Sequence, residues 1–157
     1  MGEIYKTQTF HKFLKSYERS IPGVGDYLPS FIVNETDNIY GFITDYLVIV
    51  ALSTTCYPCK TALTVLQKFV DNISDINVVV MIDTDEGSLE QIKNLFKNNI
   101  NIFIASNEII RTYFQGVPWG ISVNSKGQIL GSYAFDSLEW FNKIIYPVKK
   151  FISDNEE

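Results

Sequence analysis

Cysteine and histidine are nearly missing from this chain, whose 157 residues include two of the first and one of the second. Two cysteines are too few for a disulfide framework, and with one histidine they fall short of the four N, S or O ligands of tetrahedral zinc. Basic residues are also in the minority, 13 Lys and Arg against 18 Asp and Glu, for a net charge of −5 and a sequence pI near 4.9. Phosphate backbones are bound by clustered Lys and Arg, and no basic patch interleaved with aromatics occurs, so a nucleic-acid partner is not expected. Residues 1–30 mix Lys, Glu, His and Tyr with isolated apolar residues, lacking both the apolar core of a signal peptide and a membrane span. As written, the chain reads as soluble. Neither an internal repeat nor a low-complexity segment emerges. What the chain does contain is 46% hydrophobic and 14% aromatic residues, enough for the core of one compact domain.

Both cysteines fall in one tetrapeptide, Cys56-Tyr57-Pro58-Cys59, between an apolar run at 46–52 and a helix-patterned segment at 60–70. A two-residue spacer lets one helical turn bring two sulfurs within bonding reach, so the pair can shuttle between dithiol and disulfide. So short a loop removes little entropy from the unfolded chain, which makes stapling a poor explanation for it. At a helix start the free backbone N–H groups and the macrodipole favour an anion, and Cys56 is the expected nucleophile. Pro58 suits the first turn, and Thr54 or Thr55 is placed to supply a capping hydroxyl.

The flanking pattern alternates. Residues 31–33 read as a short strand, 34–38 as a turn, and 46–52 as a continuous apolar strand of the fully buried kind. The next helix puts Ala62, Leu63, Leu66, Phe69 and Val70 on one face. Strand 76–82, helix 88–98 and strand 102–105 follow, an order that implies right-handed βαβ connections and a parallel sheet. After a short helix at 108–114, strands 119–123 and 128–133 flank the turn Asn124-Ser125-Lys126-Gly127 as an antiparallel hairpin. From 136 on the period is helical, with Leu138, Phe141, Ile144, Ile145 and Val148 apolar and Pro147 expected to kink or end the helix. The class is α/β.

A Cys-x-Pro-Cys after the first central strand, then βαβ, a hairpin and a helix, resembles the thioredoxin fold over roughly residues 25–150. The leader Gly25-Asp26-Tyr27-Leu28-Pro29-Ser30-Phe31, the inserted strand and helix at 102–114, and Gly116-Val117-Pro118-Trp119-Gly120 resemble the TlpA-like branch. The stretch 117–127, with Ser137-Leu138-Glu139 beyond it, is similar to methylamine-dehydrogenase maturation thioredoxins. The resemblance implies a thioredoxin fold with a central mixed sheet flanked by helices, an extra N-terminal hairpin and an inserted strand-helix. It also implies three segments: an extension at 1–24, the domain at 25–153 and an acidic tail at 154–157.

For the site, the resemblance implies that Cys56 and Cys59 exchange with protein thiols or disulfides. Pro118 is then a cis-proline facing them, and the Val117 backbone pairs with an extended substrate segment. From the residues alone, Pro118 could equally be a trans proline opening an edge strand. Tyr57, Pro58 and Trp119 are expected to rim the sulfurs. Two departures stand out: thioredoxins commonly carry Trp just before the first cysteine and a buried acid six residues upstream of it, where this chain has Thr55 and Val50. Resolution by Cys59 must then rely on water or another group to take its proton, which favours a reductant of restricted client range over a general one.

Other residues are read as structural. Asp83, Asp85 and Glu86 are expected in a solvated turn and His11 in a polar segment remote from the dithiol. The peroxidatic pattern Pro-x-x-x-Thr-x-x-Cys is not met, because Ile49 and Ser53 occupy the proline and threonine positions. No cofactor or resident metal is expected; the alternative is a non-catalytic module of thioredoxin fold holding a soft metal such as copper on the two sulfurs. The expected partners are client thiols or disulfides and a separate redox partner. TlpA-like relatives usually work outside the cytoplasmic membrane behind an anchor. The expected location is therefore extracytoplasmic if an anchor belongs ahead of Met1, and cytoplasmic if Met1 is the native start.

Overall fold

The computed structural model describes residues 21–73, 75–97 and 100–156. His11 and most of the expected N-terminal extension lie outside them. Five strands form one mixed sheet in the order β3-β2-β1-β4-β5: β1 (Tyr46–Ser53), β2 (Val78–Asp83), β3 (Asn101–Ile104), β4 (Trp119–Asn124) and β5 (Ile129–Ala134). β1 pairs parallel with β2, which pairs parallel with β3, while β4 runs antiparallel to both β1 and β5. The helices are α1 (Tyr57–Asp71), α2 (Glu86–Lys93), α3 (Asn107–Tyr113), α4 (Leu138–Ile145) and α5 (Lys149–Glu156).

β1 shows why its sequence is apolar without interruption. Alternate residues of a strand point to opposite faces, and here both faces are covered. Tyr46, Val48, Val50 and Leu52 enter one core with Ala62, Leu66 and Val70 of α1 and Phe141, Ile144 and Ile145 of α4. Leu47, Ile49 and Ala51 enter the other, with Leu28, Phe31, Ile39 and the α3 residue Ile110. All eight residues of β1 are buried.

The helices begin where their caps dictate. Asp85, Ser106 and Ser137 each accept a backbone N–H three residues on, at the starts of α2, α3 and α4. As expected, Pro147 interrupts the last helical stretch: α4 ends at Ile145, a 3-10 turn spans Tyr146–Val148, and α5 resumes at Lys149. The β4–β5 turn is held by Asn124, whose Oδ1 accepts the N–H groups of Lys126 and Gln128, both at 3.0 Å. Gly127 closes it at φ +85°, where its missing side chain also leaves room for the ring of Tyr40.

The expected strand at 31–33 shrinks to a single antiparallel bridge, Ile32 to Asn38, with Asn34 and Asp37 side chains stabilising the tight turn between. A strand here has no long partner, so the N-terminal hairpin is only one bridge deep. The leader docks instead on the far hairpin: Tyr27 bridges Gln128, and Leu28 N–H donates to the Gly127 carbonyl at 2.8 Å. The Tyr40 hydroxyl hydrogen-bonds the Leu28 carbonyl and fastens the leader to the 3-10 turn Ile39–Phe42.

Candidate functional site

The central strand β1 ends at Ser53 and α1 begins four residues later at Tyr57, so the tetrapeptide spans the start of the helix just beyond the strand end. Cys56 is the N-cap of α1, at φ −96° and ψ 121°, and Pro58 stands in the first turn. The first turn carries no acidic residue to compete for the helix N-terminus, and its free N–H groups favour a thiolate at Cys56. Cys56 and Cys59 are joined as a disulfide with Cα atoms 5.3 Å apart. Cys56 is partly exposed, whereas Cys59 is buried at 4% exposure, so only the first sulfur is open to attack from solvent.

The expected threonine cap is not made. The Thr54 hydroxyl donates to the Asp83 carbonyl at 3.2 Å, tying the end of β1 to the end of β2. Thr55 shares a 2.9 Å hydroxyl contact with Ser53. Cys56 itself occupies the cap, so the upstream hydroxyls are free to brace the approach to it.

The second wall of the site comes from 61 residues downstream. The Val117-Pro118 peptide is cis, and Cys56 Sγ lies 3.7 Å from the Val117 carbonyl oxygen. β4 then begins at Trp119, opposite Ala51 of β1. The side chain of Trp119 turns with Ile121 and Val123 toward the second core, and its indole N–H donates to the Ser132 hydroxyl at 2.8 Å. Tyr57 stands 85% exposed beside the sulfurs. Thus the fold brings Cys56, Cys59, Tyr57, Pro58, Val117 and Pro118 to one end of the sheet, with Trp119 directed to the opposite face.

Two depressions lie close to the disulfide. An open groove of about 370 Å³ is lined by Pro58, Pro118, Ala134, Phe135, Asp136 and Trp140. A hollow of about 220 Å³ lies elsewhere beside Cys59, where Cys59, Lys60, Ser53, Ser88 and Gln91 meet the apolar Leu52, Leu63, Ile82 and Ile92. At about 30 Å³ per water it has room for several. The position six residues before Cys56 is Val50, fully buried in the core beneath α1, and the buried polar side chains among the described residues are Ser53 and Ser122. Among the described residues no buried carboxylate therefore stands near Cys59, and the hollow, which Cys59 helps to line, gives it a path to solvent.

Asp83 ends β2, Asp85 caps α2 and Glu86 opens it. Asp85 accepts Ser88 N–H at 2.7 Å, and that backbone bond, with the Ser88 hydroxyl, holds its carboxyl below the usual range. Sequence reading missed Ala134, Phe135, Asp136 and Trp140 of the groove and Ser53, Ser88 and Gln91 of the hollow. Only Trp140 carried a signal: in α4 it falls out of phase with Phe141, Ile144 and Ile145 and is 41% exposed, a large aromatic without a core position.

No family model and no curated protein matches the chain. Solved structures do. A protein described as a candidate protein disulfide isomerase from Bacteroides thetaiotaomicron aligns with a TM-score of 0.67 and 12% identity, over 85% of this chain and 92% of that one. The exposed lipoprotein thioredoxin of Streptococcus pneumoniae gives 0.57 and 13%, over 78% and 99%. A thiol peroxidase from Chromobacterium violaceum gives 0.56 and 18%, over 87% and 90%. These likenesses show the fold. The chain has the thioredoxin fold, with a Cys-x-x-Cys pair in disulfide geometry at the N-terminus of α1 and a cis-proline beside it.

Proposed function

We propose that this chain is a thiol-disulfide oxidoreductase that reduces disulfides in a restricted set of client proteins. The observation that carries the reading is the asymmetry of the pair: Cys56 is accessible at a helix N-terminus, and Cys59 is buried one turn behind it. In the reduced protein the Cys56 thiolate attacks one sulfur of a client disulfide. A Cys56–client disulfide forms, and the other client sulfur leaves as a thiolate. Cys59, having lost its proton to water in the hollow beside it, then attacks Cys56 Sγ and expels the second client sulfur. The two electrons pass to the client, and the protein is left with the Cys56–Cys59 disulfide. A separate dithiol reductant must regenerate it. During the first exchange the client segment lies extended along the Val117 backbone, next to Pro118, with Tyr57 and Pro58 at its borders.

Restriction of clients is supported by the fully buried Val50, which leaves Cys59 without an internal base. Catalysis outside the cytoplasm, at a membrane or cell surface, belongs to the same proposal; among the described residues no helix is long and apolar enough to cross a membrane.

The test is Cys59→Ser. With resolution blocked, the variant should accumulate a mixed disulfide on Cys56 when mixed with oxidised model peptides, seen as a reducible mass adduct, and Cys56→Ser should give none. Failure of Cys59→Ser to form any adduct overturns the mechanism. Redox titration of the couple in graded dithiothreitol buffers gives the direction. A potential near or below about −250 mV marks a reductant, and one above about −180 mV an oxidant.

A further inference from the structure

The groove beside Cys56 is unequal in its walls. Pro58 and Pro118, which flank the reactive sulfur, form its near side, and Trp140 of α4 with Phe135 forms its far side. Within this apolar lining Asp136 is the one charged side chain, and it is exposed. Trp140 is held in place from outside. The Lys143 ammonium sits 4.0 Å from its ring centre, and the Tyr133 ring centre is 6.1 Å away. A fixed, half-exposed indole over an apolar trough is a surface that gains from burying another flat or branched apolar side chain.

We infer that this groove is a specificity subsite for the client segment next to its attacked cysteine. It takes an aromatic or branched aliphatic side chain against Trp140, with a basic rather than an acidic residue beside Asp136. The inference rests on the exchange reading above and names the substrate class for that same site. Two observations support the occupant. The groove is lined by Pro58, two residues after Cys56, and by Pro118, whose preceding carbonyl lies 3.7 Å from Cys56 Sγ, so a segment joined to Cys56 passes beside it. Asp136 is the charged residue of the lining and the net charge is −5, both of which oppose an acidic segment, while the nearby Lys143 ammonium is engaged on the Trp140 ring.

The experiment uses the reduced full chain and short peptides whose single cysteine is capped as a mixed disulfide with 2-mercaptoethanol. The peptides carry Phe or Ala, and Lys or Glu, near that cysteine. Hydroxyethyl disulfide reports exchange chemistry without any peptide. In a single turnover the wild type should react with the Phe peptides about tenfold faster, as a second-order rate constant, than with the Ala peptides. It should prefer Lys over Glu by about threefold. Trp140→Ala should collapse the Phe-over-Ala ratio toward one and Trp140→Phe restore most of it, while Asp136→Asn should erase the Lys-over-Glu ratio and leave the Phe preference. If Trp140→Ala fails to fold, Trp140→Phe and the exposed Asp136→Asn still read both ratios. Wild-type turnover of hydroxyethyl disulfide and of all peptides at equal rates overturns the subsite, as do variants that keep wild-type ratios. No turnover of any disulfide overturns the exchange reading instead.

Discussion

Gly131 in β5 and Ser122 in β4 face one another under α4, and together they give a sharp test of how closely that helix is seated. A Cβ added at Gly131 would lie 2.9 Å from Ser122 Oγ and 3.2 Å from the Ile144 carbonyl oxygen. The first contact is to a side chain that can change; the second is to helix backbone that cannot retreat without lifting α4. Overpacking of this kind costs about 1 to 3 kcal/mol, against which a Gly→Ala change returns about 0.5 to 1 kcal/mol by stiffening the unfolded chain. Gly131→Ala should therefore destabilise, by up to about 2.5 kcal/mol. Ser122 is fully buried, and its hydroxyl has no hydrogen-bond partner, so Ser122→Ala should be neutral or stabilise by about 1 kcal/mol. In the double variant the nearer clash is gone and only the carbonyl contact remains. The pair should then couple favourably by about 1 kcal/mol in a double-mutant cycle. Urea denaturation followed by far-UV circular dichroism, with m held common, measures all four proteins. A neutral Gly131→Ala, or additivity within about 0.3 kcal/mol, refutes this account of the sheet–helix contact.

Three further outcomes are expected. Phe141 is fully buried, with ring centres of Phe69 and Phe135 each 4.9 Å away, so Phe141→Ala should cost about 3 to 5 kcal/mol in urea denaturation. Burial raises the Tyr46 phenol above its ordinary value against the opposing Asn77 N–H bond. The native state thus holds that proton more tightly, stability is complete below about pH 10 and falls as pH rises beyond it, and Tyr46→Phe should flatten the alkaline limb of a stability profile. The depressed Asp85 carboxyl works in the opposite sense, stabilising above about pH 4 and losing its effect as pH falls. Asp85→Ala should lower Tm at pH 7, and the gap from wild type should close in a melting series toward pH 3.

The sheet and the dithiol were legible because their signals are local. β1, β2 and the 124–127 turn announce themselves through two-sided burial and a glycine at positive φ, and the βαβ order gives their pairing. The leader was harder, since its conformation is fixed from a distance. Tyr40 reaches Leu28, and Asn77 donates to the Phe42 and Tyr46 carbonyls, both at 2.8 Å, across more than thirty residues. In the site, Cys56 and Cys59 follow from spacing alone, and the Val117-Pro118 contact followed from family likeness. The groove did not follow, because Asp136 and Trp140 join Pro58 only after β5 and α4 have folded back across the sheet. The direction of Trp119 was available in principle: strand alternation puts it with Ile121 and Val123, on the face away from α1.

The bridge between Tyr27 and Gln128 fixes where the described chain enters the domain: at the β4–β5 turn, beside the start of β1, whereas Cys56 follows the other end of that strand. The eight residues of β1 span about 26 Å. Entry point and sulfurs thus sit at opposite poles. Coupling the protein to a bead, a vesicle or a sensor chip through residues ahead of Gly25 would present the dithiol outward, whereas coupling through the loop after β1 would bury it against the support.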